Sequence, residues 1–493
     1  MGEPVTFVKK IAAMRMLLVL FIVVTCFIQN TYCQKKPAYI PRIEPCDCAV
    51  KVDSNYSHQC AYLVVPENRK KANGKFVKLP FIIVKSNNPN KRKDPLLFTA
   101  GGPGGSSLGW ITGARNRGVI NDRDCIAFEQ RGTHFAIPNL SSDELSDAIR
   151  ESYRKNLSKD SMVIVGVKRY KQALEKKGID IAGYNTDETV ADIHDLLQVL
   201  QIDSVNLFGG SYSGGLMLAV LQKDPSRIRS LVLDSPLPTF IPIDEDEPAN
   251  FNEALAILFD HCDKDSTNTA LYGNLKEKFD HYFSSIENKA FYYPYTDSGR
   301  VLNIEYTRSD LLNIVVNAFY DQAHIKDIPY LITQMIQGNH QPYIKEVIEN
   351  IFNGGNGPSG MRISVYCADQ TAYHEESILR QVYGPYPYMK GYHINDVYRE
   401  MCDCWKSPPI QAQTKKPFYS TKPVLLADGE MDPACRPLYI DMIHHYMPNS
   451  HRLLYRNRSH MVLGGVIGNT IIRNFLNDPF KKIESGNKDI ISY

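Results

Sequence analysis

Three side chains, distant from one another in the chain, have the types and order that acyl transfer needs: Ser211, Asp432 and His460. A serine hydroxyl is a poor nucleophile until a base accepts its proton, and the base needs an acid to hold its tautomer. Ser211 stands in Val205-Asn206-Leu207-Phe208-Gly209-Gly210-Ser211-Tyr212-Ser213-Gly214-Gly215. Val205, Leu207 and Phe208 read as a buried strand, and Leu216 to Leu221 as a compact helix that ends before Pro225. A strand, a sharp turn with serine at its tip and a helix together expose a nucleophilic hydroxyl above a sheet. The turn strains the serine backbone, so its neighbours must be small. Gly209 fills the first small position, and Ser213 stands where a second glycine is usual. Serine flanked by glycine is most often an ordinary loop; the strand before it and the helix after it favour the nucleophile.

The acid and the base belong past late strands. Pro423-Val424-Leu425-Leu426-Ala427 reads as a strand and runs into Asp428-Gly429-Glu430-Met431-Asp432-Pro433. His451 to Tyr455 reads as the last strand and leads to Asn457-Arg458-Ser459-His460. Most single histidines are surface or satisfied core residues. His444 and His445 lie in a helical stretch and His451 opens a strand, so His460 is the one placed in a loop past the final strand. Asp428 and Glu430 compete with Asp432 for the acid's role. Upstream, the strand Pro95 to Ala100 ends in Gly101-Gly102-Pro103-Gly104-Gly105-Ser106-Ser107. Glycines packed this closely let backbone N–H groups approach a ligand. No Gly-Lys-Ser/Thr follows, which excludes a phosphate loop. Half of an oxyanion hole is the better use.

Strands at Cys60–Pro66, Val77–Lys85, Asp124–Phe128 and Ser230–Ser235 accompany those already named. Helical stretches lie between several of them, including one from Leu140 to Gly178 and one opened by an Asn185…Glu188 capping box. Alternation of strand and helix implies a mainly parallel sheet. From Pro238 to Pro387 it stops, and residues 251–259, 275–286, 311–319, 328–336 and 344–352 each carry helical apolar spacing. Because sheet-like strands resume afterwards, this block reads as a helical cap inserted over the site. A helix from Val462 to Phe475 closes the chain's core. The resulting division is 1–33, 34–60, 61–237, 238–387 and 388–493: a signal, a cysteine-containing entry segment, the first part of the core, the cap, and the rest of the core.

The net charge is +2 and charged residues make up 22% of the chain, which gives no sign of a nucleic-acid partner. Aromatic residues, at 10% with 29 tyrosines, suit a large core with an aromatic-lined pocket. Lys9, Lys10 and Arg15 precede the apolar run Met16 to Ile28, and small and polar residues follow up to Cys33. That is the layout of a secretory signal peptide, with Thr31 and Cys33 at the cleavage positions and Gln34 next. A membrane anchor needs about 20 apolar residues, more than this run has. The expectation is an exported protein, secreted or periplasmic, with no membrane span in its mature form. Eleven cysteines fit an oxidising compartment. Cys46-Asp47-Cys48 has the wrong spacing for a zinc site, so disulfides are the better use of Cys46, Cys48 and Cys60 and of Cys402 and Cys404. No metal is expected. Asn55, Asn139, Asn156 and Asn457 open Asn-x-Ser sequons.

Gly101 to Gly105, Glu129-Gln130-Arg131-Gly132-Thr133, Gly210-Ser211-Tyr212 and Gly429-Glu430-Met431-Asp432-Pro433 together resemble the serine aminopeptidase family of α/β-hydrolases. That family includes the proline iminopeptidases and the tripeptidyl aminopeptidases; the likeness runs from about Cys60 to the C-terminus and is greater to the tripeptidyl branch. It implies an α/β-hydrolase fold with a mostly parallel central sheet and an inserted helical cap. It also implies Ser211 as nucleophile, His460 as base and Asp432 as orienting acid, with the backbone N–H groups of Tyr212 and Gly104 as oxyanion hole. Cys367-Ala368-Asp369 and Cys404-Trp405 resemble that branch too, where such cysteines are bridged. The expected bridges are Cys367 to Cys404 or to Cys402, and Cys60 to Cys46 or Cys48, with Cys125 a buried free thiol. Ala100, Ser213, His134 and Cys435 depart from the family's pattern without removing a catalytic group.

The implied activity is release of one or a few residues from peptide N-termini, with a peptide as partner and no cofactor. An esterase on the same triad and a hydrolase-like binding protein are the alternatives. An exopeptidase must recognise a free ammonium, and the cap acids Glu253, Asp260, Asp310, Glu375 and Glu376 are the candidates, of which sequence selects none.

Overall fold

The computed structural model describes residues 39–71, 74–112, 118–354 and 359–493, and the fold is that of the unit Pro41–Tyr493. The signal-peptide expectation for residues 1–33 lies outside the described residues. Among the described residues no helix is long and apolar enough to cross a membrane, and no group of three or more His, Cys, Asp or Glu could hold a metal ion.

Among the described residues twelve strands occur, in the order β1 (Arg42–Pro45), β2 (His58–Pro66), β3 (Phe76–Val84), β4 (Arg92–Thr99), β5 (Arg123–Phe128), β6 (Val205–Gly210), β7 (Ile228–Asp234), β8 (Phe291–Asp297), β9 (Arg300–Tyr306), β10 (Val424–Gly429), β11 (Ser450–Tyr455) and β12 (Ile490–Ser492). Ten of them form one sheet, β1-β2-β3-β5-β4-β6-β7-β10-β11-β12. From β5 to β11 every neighbouring pair is parallel, and the flanking pairs are antiparallel. Parallel strands covered on both faces read as unbroken apolar runs, and β6 and β10 are buried along their whole length. This is why the central strands were legible from short apolar segments alone. The α/β architecture with a mostly parallel sheet is the one expected from the sequence.

Edges and insertions were less legible. The entry segment, expected to be irregular, contributes β1, which pairs antiparallel with β2. The closing helix starts at Gly465, not Val462, because the backbone N–H groups of Val462 and Leu463 are held elsewhere, by Asp234. β12 follows that helix and pairs with β11. At Asn185 half of the expected capping box forms: its side chain accepts from the Glu188 N–H, but the Glu188 carboxylate is taken by Arg69.

Between β7 and β10 the chain is mainly helical, with the long helix Ile243–Lys264 first. The β8–β9 hairpin interrupts this block. Ser298 and Gly299 at its tip have φ of 50° and 86°, the positive values that a tight two-residue hairpin turn demands. Pro294 inside β8 argues against a strand on sequence grounds, yet the hairpin is a separate two-stranded sheet in which every strand is an edge. The block has its own apolar core, built on Phe251, Phe279, Phe283, Leu311, Phe319 and Ile332, and that core reaches Met431. Met431 adjoins Asp432, so packing in the inserted block anchors the loop that carries the acid.

Candidate active site

Gly209 and Gly210 end β6, and the helix Tyr212–Lys223 starts directly after Ser211. The turn is so sharp that a Cβ on Gly209 would lie 2.3 Å from the Ser213 carbonyl oxygen. Ser211 has φ 56° and ψ −131°, a left-handed backbone that a residue with a side chain adopts only under constraint. The constraint is visible. Its N–H donates to the carbonyls of Asp234 and Ser235 at 3.0 and 3.1 Å, and its carbonyl accepts from Gly214 and Leu237. Ser213, in place of the second glycine, is fully buried with its hydroxyl 2.5 Å from Thr99 Oγ1 at the end of β4. A hydroxymethyl group fits there because β4 supplies a polar partner.

Asp432 and His460 meet as the sequence suggested, Asp432 Oδ2 lying 2.7 Å from His460 Nδ1. Asp432 Oδ1 accepts from the N–H groups of Ala434 and Cys435, both at 2.8 Å. Burial works against a charged His460 ring, but the Asp432 charge and hydrogen bond outweigh it and hold the imidazole above its ordinary pKa. The loop after His460 is tied to the serine turn by Asp234 at the end of β7, whose carboxylate accepts from Val462 and Leu463 N–H at 2.8 and 3.0 Å. Met461 N–H donates to Ser235 Oγ, and the Met461 side chain packs on the Gly210 backbone. In this conformation Ser211 makes no hydrogen bond to His460, and its hydroxyl lies against the Cys435 thiol. Such bonds are often loose without substrate. Burial and the nearby Asp432 and Asp428 push the Cys435 thiol pKa well up, which disfavours its reactive thiolate form.

The glycine loop after β4 adjoins this turn. Gly104 has φ 106°, a conformation closed to side-chain-bearing residues. Glu129 holds the loop's exit: its Oε2 accepts from Ser106 Oγ, Ser107 N–H and Leu108 N–H, and its Oε1 from Thr133 Oγ1. Gln130 donates to the Ala100 carbonyl, and Arg131 grips Asp192 through both Nε and Nη2. The Glu-Gln-Arg-Gly-Thr segment is therefore the scaffold of the loop. His134, after it, is exposed.

Residues 94–254 match the family model described as alpha/beta hydrolase fold, and residues 387–483 match the one described as TAP-like protein. The chain belongs to the α/β-hydrolases, in an aminopeptidase-like family. A tripeptidyl aminopeptidase of Streptomyces lividans is 25% identical over 199 residues, 38% of this chain and 37% of that protein, so the match spans little more than a third of the relative. Solved structures similar to this hydrolase include a proline iminopeptidase of Mycobacterium smegmatis (13% identity, TM-score 0.35, covering 85% of this chain and 93% of that one). A serine hydrolase of Cycloclasticus zankles is another (12% identity, TM-score 0.37, covering 86% and 100%).

Of the acid's rivals in this hydrolase, Asp428 is buried in β10, where burial and the adjacent Asp432 push its pKa well up. Glu430 accepts from the Asn457 N–H and faces His261. Neither reaches His460. Among the described residues two bridges form, Cys48–Cys60 and Cys367–Cys402, while Cys46 and Cys404 are free thiols and Cys125 is buried. Sequence could not choose between cysteines two residues apart; the helix Arg399–Trp405 turns Cys402 inward beside buried Trp405 and leaves Cys404 half-exposed.

The cap acids offered for ammonium recognition have other partners. Glu253 pairs with Arg436 at 2.7 Å, and Asp310 caps its own helix at Thr307 and binds Lys159. Asp260 pairs with Lys264 on the same helix, and Glu376 with His374 and Arg399. Glu375 is exposed at the start of the helix Glu376–Tyr383, its N–H bound to Glu245. The acid that faces the site is Glu247, on the first helix of the inserted block and 7% exposed. Its Oε1 accepts from Asn395 Nδ2; among the described residues Oε2 accepts no hydrogen bond and no cation forms a salt bridge with it. Burial and Asp244 push its pKa well up, with Arg362 opposing. Glu247 lies within electrostatic reach of Cys435, beside Ser211, and of Tyr320, whose ring sits edge-on to His460 at 5.3 Å. One turn on, Asn250 donates to the Ala434 carbonyl, fixing this helix against the Asp432 loop. A signal was present in the sequence. Asp244 and Glu247 share a helix face with Phe251 and Ala254, and both of those apolar residues are buried.

Proposed function

We propose that this chain is an exported serine hydrolase that removes one or a few residues from the free N-termini of peptides. In this function Ser211 attacks the substrate carbonyl and His460 accepts its proton, with Asp432 holding the imidazole. The N–H groups of Tyr212 and Gly104 bind the developing oxyanion, after which His460 returns the proton to the leaving amine. Water then deacylates Ser211 by the same route. The observation that carries this assignment is a serine held in a left-handed backbone at the tip of β6, next to a histidine–aspartate pair joined at 2.7 Å.

N-terminal specificity is supported by Glu247. A carboxylate buried without a cationic partner is costly, and a substrate ammonium beside it would remove that cost. The inserted block from Pro238 onward would then act as a cap that measures distance from the ammonium to Ser211. Export is supported by the two disulfides, which persist in oxidising compartments. The test is a matched series of free and N-acetylated peptides together with a fluorophosphonate label. Ser211 should be the labelled residue, and Ser211→Ala should lower kcat by roughly four to six orders of magnitude. Acetylation should cost at least about 2–3 kcal/mol in kcat/KM, the scale of a lost charged hydrogen bond. Equal cleavage of free and acetylated peptides would replace the aminopeptidase with an esterase or endopeptidase.

A further inference from the structure

A polar chain runs from the serine turn into the protein interior. Tyr212, the residue after Ser211, is buried, and its hydroxyl lies 2.7 Å from Thr186 Oγ1. Thr186 Oγ1 in turn contacts Asp369 Oδ2. Thr186 opens the helix Thr186–Val199, whereas Asp369 belongs to the π-helical turn Cys367–Thr371, anchored by the Cys367–Cys402 bridge. A threonine hydroxyl has one proton. If Thr186 gives it to Asp369, it can only accept from Tyr212, and the chain has one direction, Tyr212 to Thr186 to Asp369.

The far end of this chain is open. Among the described residues, Asp369 Oδ1 and Lys415 Nζ are both buried without a hydrogen-bond partner. Both residues line one cavity of about 10 Å³, together with Tyr212, Gly215 and Gln370. That is space for a single water, which is stable only among polar partners. The segment bearing Lys415 is fastened to the same helix start, because Asp187 accepts from Gln411 N–H and Thr414 Oγ1.

We propose that Asp369 is a positioning residue for the reaction: through Thr186 it fixes Tyr212, and with it the backbone N–H that faces the oxyanion, while Lys415 supplies the counter-charge across one bridging water. This rests on the serine-hydrolase assignment above. The groups that face Asp369 are Lys415, which favours its charge, Asp187, which opposes it, and the hydroxyls of Tyr212 and Tyr373. Burial pushes Asp369 up to about 7 and Lys415 down to about 8, with Asp244 also facing Lys415. The charged carboxylate is the stronger acceptor for Thr186 above neutral pH, and that acceptor weakens as Asp369 takes up a proton with pH falling through about 7.

The experiment compares kcat and KM of wild type, Thr186→Val, Thr186→Ser and Asp369→Asn, with Ser211 identified by fluorophosphonate labelling of separate samples. Removing an oxyanion donor costs about 10²–10³ in kcat, and displacing one should cost roughly 10–100-fold. Thr186→Val should lose that much kcat with KM within about threefold, and Thr186→Ser should recover it. The ratio of wild-type to Asp369→Asn kcat should rise with pH through about 7 and approach one below it. If Thr186→Val does not fold, Asp369→Asn, which keeps the shape, makes the same comparison. Unchanged kcat in the variants, or a loss that is the same at every pH, overturns the proposal. A wild type in which Ser211 resists labelling overturns the hydrolase assignment instead.

Discussion

Asp432 and Asp428 are two buried carboxylates four residues apart, and replacing each by asparagine should have opposite consequences. Asp432 Oδ1 accepts two backbone N–H groups at 2.8 Å, and Oδ2 meets His460 Nδ1 at 2.7 Å. An asparagine at 432 has one oxygen for these two places. Turning its amide nitrogen toward Ala434 and Cys435 would leave two N–H groups without an acceptor, at about 1–3 kcal/mol each. The oxygen therefore stays at the backbone and the NH₂ group faces His460. A donor there forces Nδ1 to accept, so the proton moves to Nε2, the atom that must receive the Ser211 proton. The wrong tautomer costs about 10⁴ in kcat, or about 5.4 kcal/mol of barrier at about 1.36 kcal/mol per tenfold. The fold should be untouched. Asp428 meets Ser235 Oγ and the Gly429 N–H rather than His460, and burial beside Asp432 pushes its pKa well up, so Asp428→Asn, which keeps the shape, should leave kcat within about threefold. The assay is steady-state kcat on a free-amine peptide amide, with thermal melts of both variants. An Asp432→Asn enzyme within tenfold of wild type, or an equal loss in Asp428→Asn, would refute the assignment of the acid.

Four further outcomes are expected. Glu247→Gln should raise KM for free-amine peptides about 10–100-fold, the range of a charged hydrogen bond, and barely affect acetylated ones; the matched peptide series measures both, and equal losses would remove Glu247 from ammonium recognition. His460 is effective as a base only when neutral and is held above its ordinary pKa, so kcat/KM should rise with pH through a value above about 6.5; a pH profile that is flat from 6 to 8 would contradict the Asp432 coupling. The stability that the Asp432–His460 pair gives through that raised pKa should be present below about 6.5 and fade as pH rises through the folded-state value, which melts across pH can follow. Non-reducing peptide mapping should recover Cys367 joined to Cys402 and Cys48 joined to Cys60; recovery of Cys367 joined to Cys404 would contradict the packing of the helix Arg399–Trp405.

What the sequence determined by itself was the frame and the chemical order. Buried parallel strands need unbroken apolar runs, and a nucleophile turn needs small residues at fixed offsets, so β4, β6, β7, β10 and β11 and the positions of Ser211, Asp432 and His460 were all legible locally. Edge elements were not: β1, β12 and the β8–β9 hairpin have half-exposed strands whose pairing depends on a neighbour distant in the chain or on turn chemistry at Ser298-Gly299. The acids were beyond reach for a related reason. Glu253, Asp310, Glu375 and Glu247 are alike as letters, and only packing decides that Glu253 meets an arginine, Asp310 a lysine and Glu375 solvent while Glu247 is buried without a salt bridge among the described residues. Tertiary structure likewise chose Asp432 over Asp428, because the loop after β10 brings the Asp432 carboxylate to His460 Nδ1 while Asp428, inside the strand, meets Ser235 Oγ and the Gly429 N–H. The chain Tyr212–Thr186–Asp369 joins residues up to 183 positions apart, and no local pattern in the sequence encodes a contact of that span.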